Sequence, residues 1–199
     1  MWKLIAGVVL GLLSQSASAA SSFEETARQV IIAFQQKDNA KINALIDKKT
    51  GLYVMYKIGV GDEYEWLTKF NVNRPVPEHV FILGGDSWNS EHIPADNEFD
   101  YRTQVNFVCE KGWDRAGIFV SYDNTMLSFS MANQNMGGRD SITDANIAAA
   151  RRLEVLSHRV VAVPEKWDDG LVFHLSELRG INKGWYLTLL DFATIDCSA

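Results

Sequence analysis

The residues able to do chemistry are few and scattered. There are four histidines, His79, His92, His158 and His174. None stands three or four positions from another, so they make no metal face on a helix. His79 and His92 flank a polar stretch, 84–100, which holds Glu91 and the alternating acids Asp96, Glu98 and Asp100. A calcium loop needs oxygen ligands at set positions and a glycine at its sharp turn. No glycine follows these acids, and the stretch reads as a solvated acidic surface loop. No metal and no cofactor is expected. The two cysteines are Cys109 and Cys197. A nucleophilic thiol needs a lowered pKa and a histidine partner, and Glu110 and Lys111 give Cys109 no clear push toward thiolate. An even pair reads instead as a disulfide tying the C-terminal end to the middle of the chain, if the compartment is oxidising. The alternative is two reduced, buried cysteines acting as small apolar residues. There is no Cys-x-x-Cys, so thiol–disulfide exchange is not expected.

The block Val80-Phe81-Ile82-Leu83-Gly84-Gly85-Asp86-Ser87 resembles the nucleophile block of the GDS-type esterases. That resemblance implies Ser87 as a nucleophile, which requires a histidine base held by an acid. The esterases take that base from an Asp-x-x-His near the C-terminus. This chain has none, and its last histidine, His174, lies within an expected strand. An apolar strand ending in a polar turn accounts for the block equally well. A different catalytic arrangement would place one carboxylate or histidine of shifted pKa in a pocket lined by apolar walls. Asp191 and His174, both on expected strands, are the residues that would serve an isomerase, dehydratase or hydrolase of that kind. Trp88, Trp113 and Trp167 lie in expected turns beside Asn, Asp or Lys. Aromatic rings in loops grip sugar faces or partner proteins; the alternative is that each closes an edge of the core.

These groups sit in a chain of 199 residues, 47% hydrophobic and 22% charged, with a net charge of −6. That composition excludes wholesale disorder and suits one globular domain. It also argues against nucleic acid, which calls for a basic stripe. The first 19 residues carry the strongest signal. Lys3 is a positive n-region, Leu4 to Leu13 an apolar h-region, and Ala17-Ser18-Ala19 an A-x-A cleavage site. The apolar run is about half of the roughly 20 residues that a membrane-spanning helix needs. Residues 1–19 are therefore expected to be a signal peptide and 20–199 a single soluble domain, periplasmic or secreted, with no membrane anchor after cleavage.

The elements that must position the candidate residues follow from periodicity. Ser22 with Glu25 fits a capping box ahead of an amphipathic helix whose inner face is Phe23, Ala27, Val30, Ile31 and Phe34. Asp38-Asn39 breaks it and caps a second helix with Ile42, Leu45 and Ile46. Leu52 to Tyr56 reads as a strand. Asp62 is expected to cap a short helix over 63–70, with Tyr64 and Leu67 inward. Val80 to Leu83 reads as a strand, as does the alternating stretch from Tyr101 to Cys109. Ile118 to Tyr122 and Met126 to Met131 are expected strands, and Asn133 to Asp140 a glycine-containing loop. Thr143 or Ser141 then caps a helix from about 144 to about 158. Three apolar runs, 160–163, 171–178 and 185–192, read as consecutive antiparallel strands. The order gives an α+β fold: N-terminal helices packed on a curved, mostly antiparallel sheet, with one inserted helix.

Two stretches, Gly51-Leu52-Tyr53-Val54-Met55-Tyr56-Lys57 with Asp62 and Gly184-Trp185-Tyr186-Leu187-Thr188-Leu189-Leu190-Asp191, resemble uncharacterised secreted bacterial proteins of the nuclear-transport-factor-2-like, or cystatin-like, α+β fold. The resemblance implies a curved sheet wrapped around an opening helix pair. It implies no particular activity, because that fold hosts enzymes, ligand binders and interaction domains. The sequence therefore points to an exported, non-catalytic binding or interaction protein of the bacterial cell envelope, with a protein or glycan as ligand. The small-molecule enzyme is the alternative.

Overall fold

The computed structural model describes residues 21–58, 61–74, 95–122, 126–136, 142–165, 170–180, 183–195 and 197. The chain opens with α1 (Phe23–Gln35), whose N-cap Ser22 accepts from the Glu25 backbone N–H at 3.2 Å. Its buried stripe is Thr26, Ala27, Val30, Ile31, Ala33 and Phe34. Asp38 caps α2 (Asn39–Ala44), accepting from the N–H groups of Ala40 and Lys41 at 3.0 and 3.1 Å. Asn43 locks α2 to the chain 27 residues on, donating to the Phe70 carbonyl and accepting from the Phe70 N–H.

β1 (Leu52–Ile58) and β2 (Gly61–Leu67) form an antiparallel hairpin. This corrects the helix expected over 63–70. Tyr64 and Leu67, three apart, would share a helix face; on a strand they point to opposite faces. Tyr64 packs with Tyr53 and Met55 on one side, and Leu67 joins Leu52 and Val54 on the other. The turn leading in depends on Gly51, whose φ is +74°. A Cβ there would lie 2.4 Å from the Trp66 indole nitrogen.

Next come β3 (Phe99–Asp100), β4 (Phe107–Val108), β5 (Gly112–Trp113) and β6 (Gly117–Ser121). The continuous strand expected from Tyr101 to Cys109 is reduced to β4, which among the described residues pairs only with β5, in a small separate ribbon. Two helices, α3 (Met126–Met136) and α4 (Asp144–Glu154), lie between β6 and β7. α4 is the inserted helix expected from the sequence, capped by Thr143 in a complete capping box with Asn146. α3 replaces an expected strand over 126–131 and runs into the expected loop. Leu127 and Met131, four apart, are both buried, whereas Phe129 between them is exposed. That is helical spacing, and six residues were too few to separate it from a buried strand. α4 is also shorter than expected, because residues 157 and 158 already belong to the sheet.

β7 (Ser157–Val163), β8 (Leu171–Leu178) and β9 (Gly184–Asp191) are the expected antiparallel strands. The seven-stranded sheet has the order β2-β1-β9-β8-β7-β6-β3. Two of its pairings are parallel, β1 with β9 and β3 with β6. The parallel pair β1–β9 joins the first strand of the sheet to the last. A bulge between β8 and β9 leaves Thr188 as the extra residue, between Leu187 opposite Leu175 and Leu189 opposite His174.

The sheet is covered on both faces. On one side α1 and α2 pack on Val54, Val160, Ala162, Phe173, Leu175 and Leu190. On the other, α3 and α4 enclose Met55 and Leu189, and the β4–β5 ribbon covers Val161, Val163 and Val172. Burial on both faces explains why the runs in β7–β9 are continuous rather than alternating. Among the described residues no helix is long and apolar enough to cross a membrane.

Candidate functional site

Two places concentrate polar or aromatic groups beyond what packing requires. The first is a face of rings at the start of α1. Phe23, Phe99, Tyr101, Tyr122, His158 and Trp185 come from α1, β3, the two strand ends after β3 and β6, β7 and β9. His158 is the hub. It stacks on Trp185 with centroids 4.9 Å apart and meets the edges or faces of Phe23 at 5.0 Å and Tyr122 at 4.6 Å, nearly perpendicular. Phe23 also touches Trp185, Phe99 and Tyr101. The floor of this group packs on the α1 side of the core. Its outer rings do not: Tyr101 is 40% and Tyr122 66% exposed. At the rim the Tyr101 hydroxyl donates to Glu24 Oε1 at 2.8 Å. Partial burial and that neighbouring carboxylate push the Tyr101 phenol up. Burial pushes the His158 imidazole down, toward the neutral form, and its Nδ1 has no partner among the described residues. Arg28 lies over the Phe99 ring and donates to the carbonyls of Ala95 and Asn97.

The second is a buried polar seam on the opposite face of the sheet, where the α3–α4 and ribbon clusters meet. Asp191 at the end of β9 is fully buried. Its carboxylate accepts from the Thr194 N–H at 3.0 Å and the Thr194 hydroxyl at 2.6 Å. Arg159 on β7 reaches across to it, with Nη2 3.7 Å from Oδ2, and also donates to the Thr194 hydroxyl at 3.2 Å. His174 is the cross-strand neighbour of Arg159 and is 2% exposed. Burial, then the positive Arg159 and nearby His158, hold its pKa well below the usual histidine range. Neither of its ring nitrogens has a hydrogen-bond partner among the described residues. Thr188, the bulged residue, bonds Ser176 at 2.7 Å and the His174 carbonyl at 3.3 Å. Farther along this face, burial pushes the Asp62 and Glu154 carboxyls up. Glu154 accepts from the Ser128 N–H in the first turn of α3, so α4 caps α3.

The sequence-derived candidates fall as follows. Cys109 and Cys197 are bonded, with Cα atoms 5.5 Å apart, joining the turn after β4 to the tail beyond the short 3-10 helix at Ala193–Ile195. Asp191 and His174 do point inward, into the seam. Trp113 is buried against Phe107, with ring centroids 5.3 Å apart, above Gly170. Its ring is therefore part of the core and offers no surface for stacking. Trp88 and Trp167, Ser87, His79, His92 and residues 1–19 lie outside the described residues. Asp96 and Glu98 are exposed, and Asp100 accepts from the N–H groups of Arg102 and Thr103 within its own turn. Among the described residues no three His, Cys, Asp or Glu side chains group to hold a metal. The ring face was not legible beforehand. Its one local signal is a tyrosine directly after each of two strand ends, Tyr101 and Tyr122, where a turn normally carries a small or polar residue.

Comparison with protein-family models, curated proteins and solved structures gives no match to this chain.

Proposed function

We propose that this is an exported binding protein of the bacterial cell envelope with no catalytic chemistry of its own, and that its ligand face is the ring face at the start of α1. The observation that carries the reading is the exposure of Tyr101 and Tyr122 on a floor of packed rings. Large aromatic residues left in water at the end of a continuous aromatic cluster are the usual anchors of a recognition surface. Export rests on the signal-peptide pattern of Met1–Ala19, and the Cys109–Cys197 bond fits an oxidising compartment. The resemblance to the nuclear-transport-factor-2-like fold stays part of the proposal, since β1 and β9 carry it. The enzyme alternative has the seam in its favour. It ranks second because His174 and Asp191 are sealed from solvent, and Asp191 already serves Thr194 and Arg159.

The test is retention of the purified protein on an envelope fraction. A Tyr101→Ala/Tyr122→Ala variant is expected to lose retention, whereas Phe129→Ala, an exposed ring on α3 across the sheet, is expected to keep it. Equal retention of all three proteins would refute the ring face as the ligand face.

A further inference from the structure

We infer that the Cys109–Cys197 bond is a redox-sensitive latch: its reduction by a dithiol frees the β4–β5 ribbon from the sheet face while the sheet itself stays folded.

Access is the first argument. Both half-cystines are exposed, Cys109 in the turn after β4 and Cys197 beyond the short 3-10 helix. A thiolate reaches such a bond without prior unfolding, and exposed disulfides are the labile and regulatory ones. A dithiol supplies the electrons. One of its thiolates attacks a sulfur of the bond and forms a mixed disulfide, and its second thiol displaces that sulfur in turn. The dithiol leaves as a disulfide, and Cys109 and Cys197 gain two electrons and two protons between them.

The second argument is how unequally the two ends of the bond are held. On the tail side the Phe192 N–H donates to the Met55 carbonyl at 2.9 Å, Ala193 is buried, and Thr194 bonds Asp191 at 3.0 and 2.6 Å. This end stays in place when the bond is cut. On the other side the ribbon has two-residue strands, and its backbone bonds run within it. The Lys111 N–H donates to the Val108 carbonyl at 2.8 Å, and the Asp114 N–H to the Asn106 carbonyl at 3.1 Å. A two-stranded hairpin of this kind is marginal in water. Apolar packing of Val105, Phe107 and Trp113 on Val161, Val163 and Val172 holds it down, together with the bond.

The third argument is magnitude. Residues 105–116 leave the sheet after β3 and return to it at β6. Pinning a segment of that length at its middle restricts its open states about a hundredfold by chain entropy. Reduction lifts the restriction, so the ribbon opens about a hundredfold more often and uncovers the three valines.

The experiment treats the purified, oxidised protein with dithiothreitol without denaturant, then follows intact mass after alkylation and amide hydrogen exchange. Two adducts are expected. Amides of 105–116 should exchange about a hundredfold faster, while those of β8 and β9 stay protected over the same time. Reoxidation with glutathione disulfide should restore the protection. Cys109→Ser/Cys197→Ser should show the opened pattern with no reductant present. A bond that resists dithiothreitol until denaturant is added overturns the inference, as does reduction that leaves 105–116 protected. Equal loss of protection in β8 and β9, or a double variant that does not fold, makes the bond a staple of the whole domain and also overturns the latch.

Discussion

The buried pair Arg159–Asp191 gives the sharpest quantitative test of the fold. Asp191→Ala removes a carboxylate with no solvent exposure, two hydrogen bonds to Thr194 and the countercharge 3.7 Å from Arg159. The Arg159 side chain, only 15% exposed, then keeps its charge with the Thr194 hydroxyl as its remaining partner in the seam. Stranding a buried charge in this way costs about 3–5 kcal/mol. For a chain of this length that lowers Tm by about 6–20 °C, at roughly 2–4 °C per kcal/mol. Arg159→Met strands Asp191 instead, but leaves it both Thr194 bonds, and should cost less, about 1–3 kcal/mol. The double variant strands nothing. It should therefore be more stable than the two single costs imply, with a coupling of about 2–3 kcal/mol. Urea unfolding followed by far-UV circular dichroism measures all four proteins, provided the slope with denaturant stays constant. A loss under about 1 kcal/mol for Asp191→Ala, or strict additivity in the double variant, would refute the stranded-charge argument.

Acidification offers an independent test of the same seam. The folded pKa of His174 lies well below its unfolded value of 6.5, so below that pH the unfolded chain takes up the proton first. Stability should fall as pH drops from 6.5 toward the folded pKa, at up to about 1.4 kcal/mol per pH unit. The half-buried His158 adds to the slope with the same sign. Asp62 and Glu154, raised by burial from 3.8 and 4.5, oppose it only in the more acid range where carboxylates titrate. His174→Leu should flatten the denaturation profile between the histidine and carboxylate ranges, and an unchanged slope would show that His174 is not the group responsible. The disulfide closes a sequence separation of 88 residues, for which chain entropy predicts about 4–5 kcal/mol of stabilisation. Cys197→Ser should lose stability of that order. Intact mass after alkylation should be unchanged until a reductant is added; two adducts without reductant would exclude the bond.

The parts of the fold readable from the chain are those whose signals are local and mutually consistent. α1 has its cap, its acidic first turn and its apolar stripe within 13 residues. β8 and β9 are long apolar runs between turns, and strands buried on both faces have no other way to look. The helix expected over 63–70 and the strand expected over 126–131 gave way for the same physical reason. Over six or seven residues, spacing of three or four and spacing of two place similar residues inward. The choice between them is made by a tertiary partner: the free edge of β1 for β2, and the face of Met55 and Leu189 for α3. The stretch from 101 to 106 alternates well but has no neighbouring strand to pair with among the described residues, so alternation alone did not make it a strand.

The same contrast separates the two candidate sites. Asp191 and His174 were picked out by residue type, and each lies beside Arg159. What lies there is closed to solvent: Asp191 holds Thr194 and Arg159, and burial pushes the His174 pKa down. Residue type locates groups that are able to react; only burial says whether a substrate can reach them. The ring face reverses this. Apart from the tyrosines that follow two strand ends, its members are ordinary in their own segments, and its rim contact joins Tyr101 to Glu24 across 77 positions. Its parts converge because β3 pairs with β6, β6 with β7, and α1 packs against β8 and β9. A surface built in this way depends on the sheet order rather than on any motif. Its function therefore has to be sought with the folded protein and a ligand, and Tyr122, the most exposed ring of the face, is the residue on which to begin.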